Sequence, residues 1–192
     1  PDSQTLAIVV TADKGLCGSF NTNVIKGAGA FVLGHAGPCT LGLVGRKGRD
    51  FFGRRGFPVL FEQVGIFQKL GSDHARTIAQ IAVDAFIAHR VDRVVLVYNE
   101  FKSVMTQRVV VDELLPIGHR EVEGAVLSDA GMDYLYEPAP QAIFDQLLPR
   151  YVDVQVYRAL LESNAAFFAA QMTAMDTASR NSAEMIGSLT LY

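Results

Sequence analysis

The chain has 192 residues, 49% of them hydrophobic, and a formal net charge of -3. That is enough apolar material for a real core, and it excludes a disordered chain. The 17 Lys and Arg are scattered rather than gathered into a stripe, which argues against a nucleic-acid surface.

From the start, PDSQTLAIVV lacks the charged n-region of a signal peptide. No run approaches the ~18–20 apolar residues of a membrane span, so the chain reads as soluble, without direct membrane insertion. Short β-branched runs then alternate with helical patterns: Leu6 to Val10, then Asn21 to His35; Leu41 to Gly45, then Arg49 to Arg55; Val59 to Val64, then Asp73 to His89; Arg93 to Tyr98. This alternation predicts an α/β fold, a Rossmann-like and mostly parallel sheet with flanking helices. LAIVV and RVVLVY are apolar almost throughout, as strands covered on both faces must be. In the helix after Asp73, Ile78, Ile81, Ala82, Ala85 and Phe86 share one side, and Ser72 or Asp73 is placed to cap it. The strand Gln107 to Asp112 follows Tyr98 too closely for a helical crossover, so it is expected antiparallel at a sheet edge.

Between Pro116 and Pro140 the pattern lapses into a polar, acidic hinge, dividing an α/β body (1–138) from a long C-terminal helix (139–192). An interior proline costs about 3 kcal/mol, so Pro149 predicts a kink or a fresh helix start. Beyond it, steps of 3 and 4 give Tyr151, Val154, Arg158, Leu161, Ala165, Phe168, Met172, Met175, Ser179, Ser182, Ile186 and Leu189. A repeat of 3.5 residues is the seam of a left-handed coiled coil. Val152, Val156, Leu160 and Phe167 form a second apolar face in the lower half only, which should pack on the body. The seam then needs a cover, either a second copy of the chain or a helix preceding Pro1.

Candidate chemistry is sparse. The loop TADKGLCGSFNTN sits after the first strand, where α/β proteins cradle phosphates, but Gly15 and Gly18 give G-x-x-G, neither a dinucleotide fingerprint nor a Walker A. A tight turn with positive φ at both glycines, and Asn21 or Thr22 capping the next helix, explains it. The competing reading is a nucleotide- or anion-binding enzyme with its site at Asp13–Ser19. Arg46, Lys47, Arg49, Arg54 and Arg55 could hold an acidic partner, although a solvated face accounts for them. His35, His74, His89 and His119 form no ligand pair, and Cys17 and Cys39 lie in no metal or C-x-x-C spacing. The residues therefore name no catalytic group, cofactor or metal site, and the two cysteines suit a reducing compartment.

Several segments carry a resemblance: DKGLCGSFNTN (Asp13 to Asn23), VYNEFKSVMTQ (Val97 to Gln107), YLYEP (Tyr134 to Pro138), LLPRYV (Leu147 to Val152), ALLES (Ala159 to Ser163) and MTAMDTASRNSAEMIGSLTLY. In content and order they resemble the γ subunit of rotary F-type ATP synthases, over nearly the whole chain. The resemblance implies a non-catalytic central-stalk subunit, coupling rotation of an ion-driven c-ring to ATP synthesis or hydrolysis in an α3β3 hexamer. Implied partners are the α, β and ε subunits and the c-ring. The implied location is peripheral, at the cytoplasmic face of an energy-transducing membrane. Tyr134, Leu135, Tyr136 and Glu137 match the family's ring contact and are expected to face the c-ring or ε. Val154, Leu161, Ala165, Phe168, Met172, Met175, Ile186 and Leu189 are the expected seam, against a helix preceding Pro1 that the resemblance also implies. Homo-association of the isolated chain through this exposed helix is the other expectation. Ala166, Phe167 and Phe168 replace the family's usual Ser-Glu-His run, and Gln171 its usual Arg, which marks a divergent member.

Overall fold

The computed structural model describes residues 3–117 and 140–190, with side chains of the last helix from 147 onward. Five strands form one sheet in the order β3-β2-β1-β4-β5. These are β1 (Thr5–Val10), β2 (Cys39–Val44), β3 (Val59–Gln63), β4 (Arg93–Ser103) and β5 (Thr106–Leu115). The first four run parallel, and β5 pairs antiparallel with β4 at the edge, as the short connection after Tyr98 requires. The helices are α1 (Phe20–Gly34), α2 (Arg46–Gly53), α3 (Ser72–Ile87) and α4 (Pro140–Thr190).

Every residue of β1 is buried, because helices cover both sheet faces. Its pleat sends Leu6, Ile8 and Val10 into a core with α3 and α4. Ala7 and Val9 face the opposite core, formed with Val24 and Ala28 of α1 and Phe52 of α2. The β1–α1–β2 crossover thus lies on one face, while the chain passes from β3 to β4 through α3 on the other.

Helix α4 extends over 51 residues, about 75 Å at 1.5 Å per residue. It passes through Pro149 without interruption, so the fresh start anticipated there does not occur. The local penalty of an interior proline is outweighed by packing on either side, Leu148 before it and Val152 and Val156 after it, all in the core with α3. Val152, Val156, Ala159, Leu160 and Ser163 are buried along the helix's inner face. Further along, Ala166 and Phe167 reach the carboxyl end of β1 and join Ala12, Cys17 and Phe20 in a third cluster. The helix therefore runs in the same direction as β1, and beyond Met175 it leaves the body, with every residue exposed.

A polar joint fixes α4 against the sheet. The buried Tyr98 hydroxyl donates to Asp112 Oδ2 across the β4–β5 pair at 2.9 Å. Arg158 of α4 approaches the same hydroxyl at 3.4 Å and pairs with Glu162 at 3.1 Å. Burial pushes the Tyr98 phenol up to about 12, reinforced by Asp112 against the opposing hydrogen bond from Arg158.

Other caps differ from those anticipated. Neither Ser72 nor Asp73 caps α3; the N-cap is Gly71, whose N–H donates to His74 Nδ1 at 3.3 Å. A ring nitrogen reaching back from the third helical position takes the place of the Glu or Gln of a capping box.

Two predictions follow from this packing, both read by urea denaturation of the chain. Leu160→Ala should destabilise it by about 2–5 kcal/mol, whereas Leu161→Ala, on the exposed face, should change stability by less than about 1 kcal/mol; comparable losses would mean that the helix faces are misassigned. Tyr98→Phe should cost about 1 kcal/mol at pH 8. Because the folded pKa lies above the ordinary value of 10, the neutral phenol's contribution is complete below pH 10 and is lost as pH rises towards about 12. The variant should lack that component of the alkaline decline, and an unaltered pH profile would contradict the assignment.

Candidate functional site

Two regions carry the candidate function: the carboxyl end of the parallel sheet and the outward face of α4. In an open α/β sheet the crevice beyond the strand ends, where the chain order reverses, is the usual ligand position. Here that reversal lies between β1 and β4.

The loop after β1 is held from within. Asp13 Oδ1 accepts from the backbone N–H groups of Arg46 and Gly65, both at 3.0 Å, and the N–H of Lys47 donates to the Ala12 carbonyl at 3.1 Å. The carboxylate thus sits at the N-terminus of α2, where a bound anion would otherwise find its donors. Gly45 precedes that helix with φ of 88°, and a Cβ there would lie 2.0 Å from the Thr11 carbonyl oxygen. Only glycine allows β2 to turn into α2 so close to β1.

Asn21 clamps the loop instead of capping α1. Its Oδ1 accepts from the Ala12 N–H at 2.9 Å, and its Nδ2 donates to the Lys14 carbonyl and lies 3.2 Å from Cys17 Sγ. The N-cap of α1 is Ser19, without a side-chain cap. Of the two loop glycines only Gly18 has positive φ (55°); the second left-handed residue is Leu16 (60°), not Gly15. Composition suggested glycine at both positions, but the clamp by Asn21 sets where the chain bends. Burial pushes the Cys17 thiol upward, so it is poorly nucleophilic.

Phe167 of α4 packs edge-on against Phe20, with ring centroids 5.7 Å apart. The helix thus lies across the β1 end of the crevice, leaving a cavity of about 430 Å³ that reaches from Asp13 to Phe168 and Gln171. In the basic stretch, Arg49 pairs with Asp50 at 2.7 Å and the Arg55 guanidinium stacks 3.6 Å over Phe51. Arg46, Lys47 and Arg54 are exposed. Among the described residues no group of three or more His, Cys, Asp or Glu converges as a metal site.

On α4, Val154, Leu161, Ala165, Phe168, Met172, Met175, Ile186 and Leu189 are all exposed. Phe168 is 55% and Leu189 72% accessible. The heptad positions therefore form one outward apolar face, opposite the buried one. Arg158 interrupts the stripe because it serves the Tyr98 joint. Tyr134, Leu135, Tyr136 and Glu137 lie outside the described residues. Sequence reading missed the Asp13 clamp, the Asn21 clamp and the Tyr98–Asp112 pair. Of these only Asp13 gave a signal, a carboxylate at a strand end.

Comparison with known proteins agrees with this architecture. A family model described as ATP synthase matches residues 1–192. The ATP synthase gamma chain of Solibacter usitatus is 46% identical over 186 residues, covering 96% of this chain and 63% of the relative. That of Chlorobaculum tepidum is 45% identical over 190 residues, covering 96% and 64%. The chain thus spans less than two thirds of the length of these curated relatives. Among solved structures, the central stalk and c-ring of the Tetrahymena thermophila mitochondrial ATP synthase matches with TM-score 0.71 and 29% identity, over 93% of this chain and 77% of that one. The rotor of the Euglena gracilis enzyme shares the fold, with TM-score 0.65 and 17% identity over 97% and 70%. The family model covers residues 1–192, and the chain belongs to the family it describes, ATP synthase, with gamma chains as its similar relatives.

Proposed function

We propose that the chain is the body and ascending helix of a rotor subunit, a non-catalytic part of an ATP synthase that transmits torque between a membrane c-ring and a catalytic α3β3 hexamer. The observation that carries this reading is the two-faced helix α4. One face is buried on the sheet, the opposite face is apolar and exposed, and the end projects beyond the body. A helix clamped to a rigid domain passes rotation of that domain along its axis, and its outward seam suits a second helix that stiffens the shaft.

In this reading residues 1–138 form the body and 139–192 the stalk helix. Partners are the α, β and ε subunits and the c-ring, with Tyr134, Leu135, Tyr136 and Glu137 meeting the ring or ε. The assembled subunit is peripheral, at the cytoplasmic face of the energy-transducing membrane. That no helix among the described residues is long and apolar enough to cross a membrane is compatible with this. A separate nucleotide site is disfavoured by chemistry, since the amides at the α2 N-terminus already donate to Asp13, Ala12 and Thr11, and Phe167 lies against the loop after β1.

The decisive experiment is reconstitution of the full polypeptide carrying this chain with its α and β subunits, with a probe on the body. ATP hydrolysis should drive rotation of the probe, and Phe168→Glu with Met172→Glu should abolish assembly or coupling. A complex that forms and hydrolyses ATP while the body stays still would overturn the rotor assignment. Calorimetric titration of the chain alone should show no micromolar ATP binding. Micromolar binding lost on Lys14→Gln would put the nucleotide-binding reading first.

A further inference from the structure

We propose that the β4–β5 hairpin is a strap that closes onto α4 where the helix leaves the body, seating Met105 beside Thr173, Ala174 and Thr177. Closure is a property of this chain alone. Only its use, steadying the helix from the side, rests on the rotor reading.

Strands β4 and β5 are 11 and 10 residues long, against five or six for the other three. β4 pairs with β1 as far as Val97 and then continues with β5 alone to Ser103. The hairpin therefore projects past the carboxyl end of the sheet, the end towards which α4 also runs. A two-stranded ribbon is marginal without a second surface to pack on. At its base α1 supplies one, so closely that a Cβ at Gly27 would lie 2.8 Å from Val109 Cγ1. At its tip Met105 is 81% and Val104 39% exposed.

The projecting arm is tied together internally. Glu100 pairs with Lys102 at 2.9 Å and, across the ribbon, with Arg108 at 3.0 Å. The Thr106 N–H donates to Ser103 Oγ at 3.1 Å, and Gln107 Nε2 donates to the Val104 carbonyl at 2.9 Å. The pairing register shifts between Phe101 and Ser103, an irregularity just below the turn, where a strand bends. The tip can thus swing without losing its own hydrogen bonds.

Between the arm and α4 lies a cavity of about 430 Å³. Val104 and Met105 line it from the hairpin, and Ala170, Thr173, Ala174 and Thr177 from the helix. None of its lining residues is charged, so closure strands no ion. The helical wall is made of small side chains whose hydroxyls are already engaged. Thr173 donates to the Ala169 carbonyl at 3.0 Å and Thr177 to that of Thr173 at 2.9 Å. Asn99, only 3% exposed, donates to the Phe20 carbonyl at 3.4 Å. Such a cavity asks for apolar volume, and an unbranched, flexible methionine suits an irregular gap. Thr173 and Ala174 are half-buried and Thr177 is exposed, so closure extends the covered part of the helix by about one turn.

The test uses the full polypeptide carrying this chain, in a Cys17→Ala, Cys39→Ala background. Two cysteines cross-link only when their Cα atoms come within about 7 Å. Under mild oxidation, Met105→Cys with Thr177→Cys should form a disulfide at least about tenfold faster than Met105→Cys with Met175→Cys, whose second thiol lies on the seam. Equal rates would overturn the strap. Met105→Ser, a surface change in the otherwise unaltered protein, should speed amide hydrogen exchange of residues 170–180 by at least about threefold and leave residues 152–160 unchanged. Unchanged exchange in both segments would show that the tip does not rest on the helix, and would overturn the proposal even if the cysteine variants failed to fold. Both readouts are taken on the subunit by itself, so they are independent of whether the assembled complex rotates.

Discussion

The structure depends on one extended burial, the inner face of α4 against the sheet and α3. Val152, Val156, Ala159 and Leu160 are nearly inaccessible, and each large apolar side chain so placed contributes roughly 1.5–3 kcal/mol. Remove this contact and β4 loses its cover on that face, Tyr98 loses Arg158, and the loop after β1 loses Phe167. Its direction comes from which side of the helix is apolar, and Arg158 adds a polar contact to the Tyr98–Asp112 pair on the same side of the sheet.

The body has the architecture of many nucleotide-binding domains, yet its customary ligand position is put to structural use. Asp13 supplies the negative charge that a phosphate would bring to the α2 N-terminus, and Ala166 and Phe167 fill space against Ala12 and Phe20. The same crevice that admits a cofactor in an enzyme here receives a helix. Fold alone does not decide what such a crevice holds; the residues at the site do.

Much of this was legible in the sequence because its signals are local. Alternating β-branched runs and helical periods are set by neighbours within one element, so strand and helix order, and β5 at the antiparallel edge, could be read directly. The second apolar face of α4 was equally plain, since Val152, Val156, Leu160 and Phe167 fall on one side of any helix. What could not be read depends on contacts between elements distant in sequence. Asp13 finds its amides at positions 46 and 65, and Asn21 reaches back to Ala12 and Cys17. Local preference also misled where tertiary packing prevailed: Gly71 rather than Ser72 or Asp73 is the α3 cap, and Leu16 rather than Gly15 takes the left-handed conformation.

Where α4 leaves the body it becomes, mechanically, a cantilever. The anchored part ends near Met175 and the free part continues to Thr190, about 22 Å at helical rise. For a beam fixed at one end, sideways deflection under a given force grows with the cube of the free length, whereas twist under a given torque grows only linearly. A lone projecting helix is therefore disproportionately soft to lateral load. Bonding a second rod along the seam moves material away from the neutral axis and raises bending rigidity by more than the sum of the two rods. In the rotor reading, a helix along the exposed apolar stripe would therefore do more than bury it, since it would keep the shaft straight.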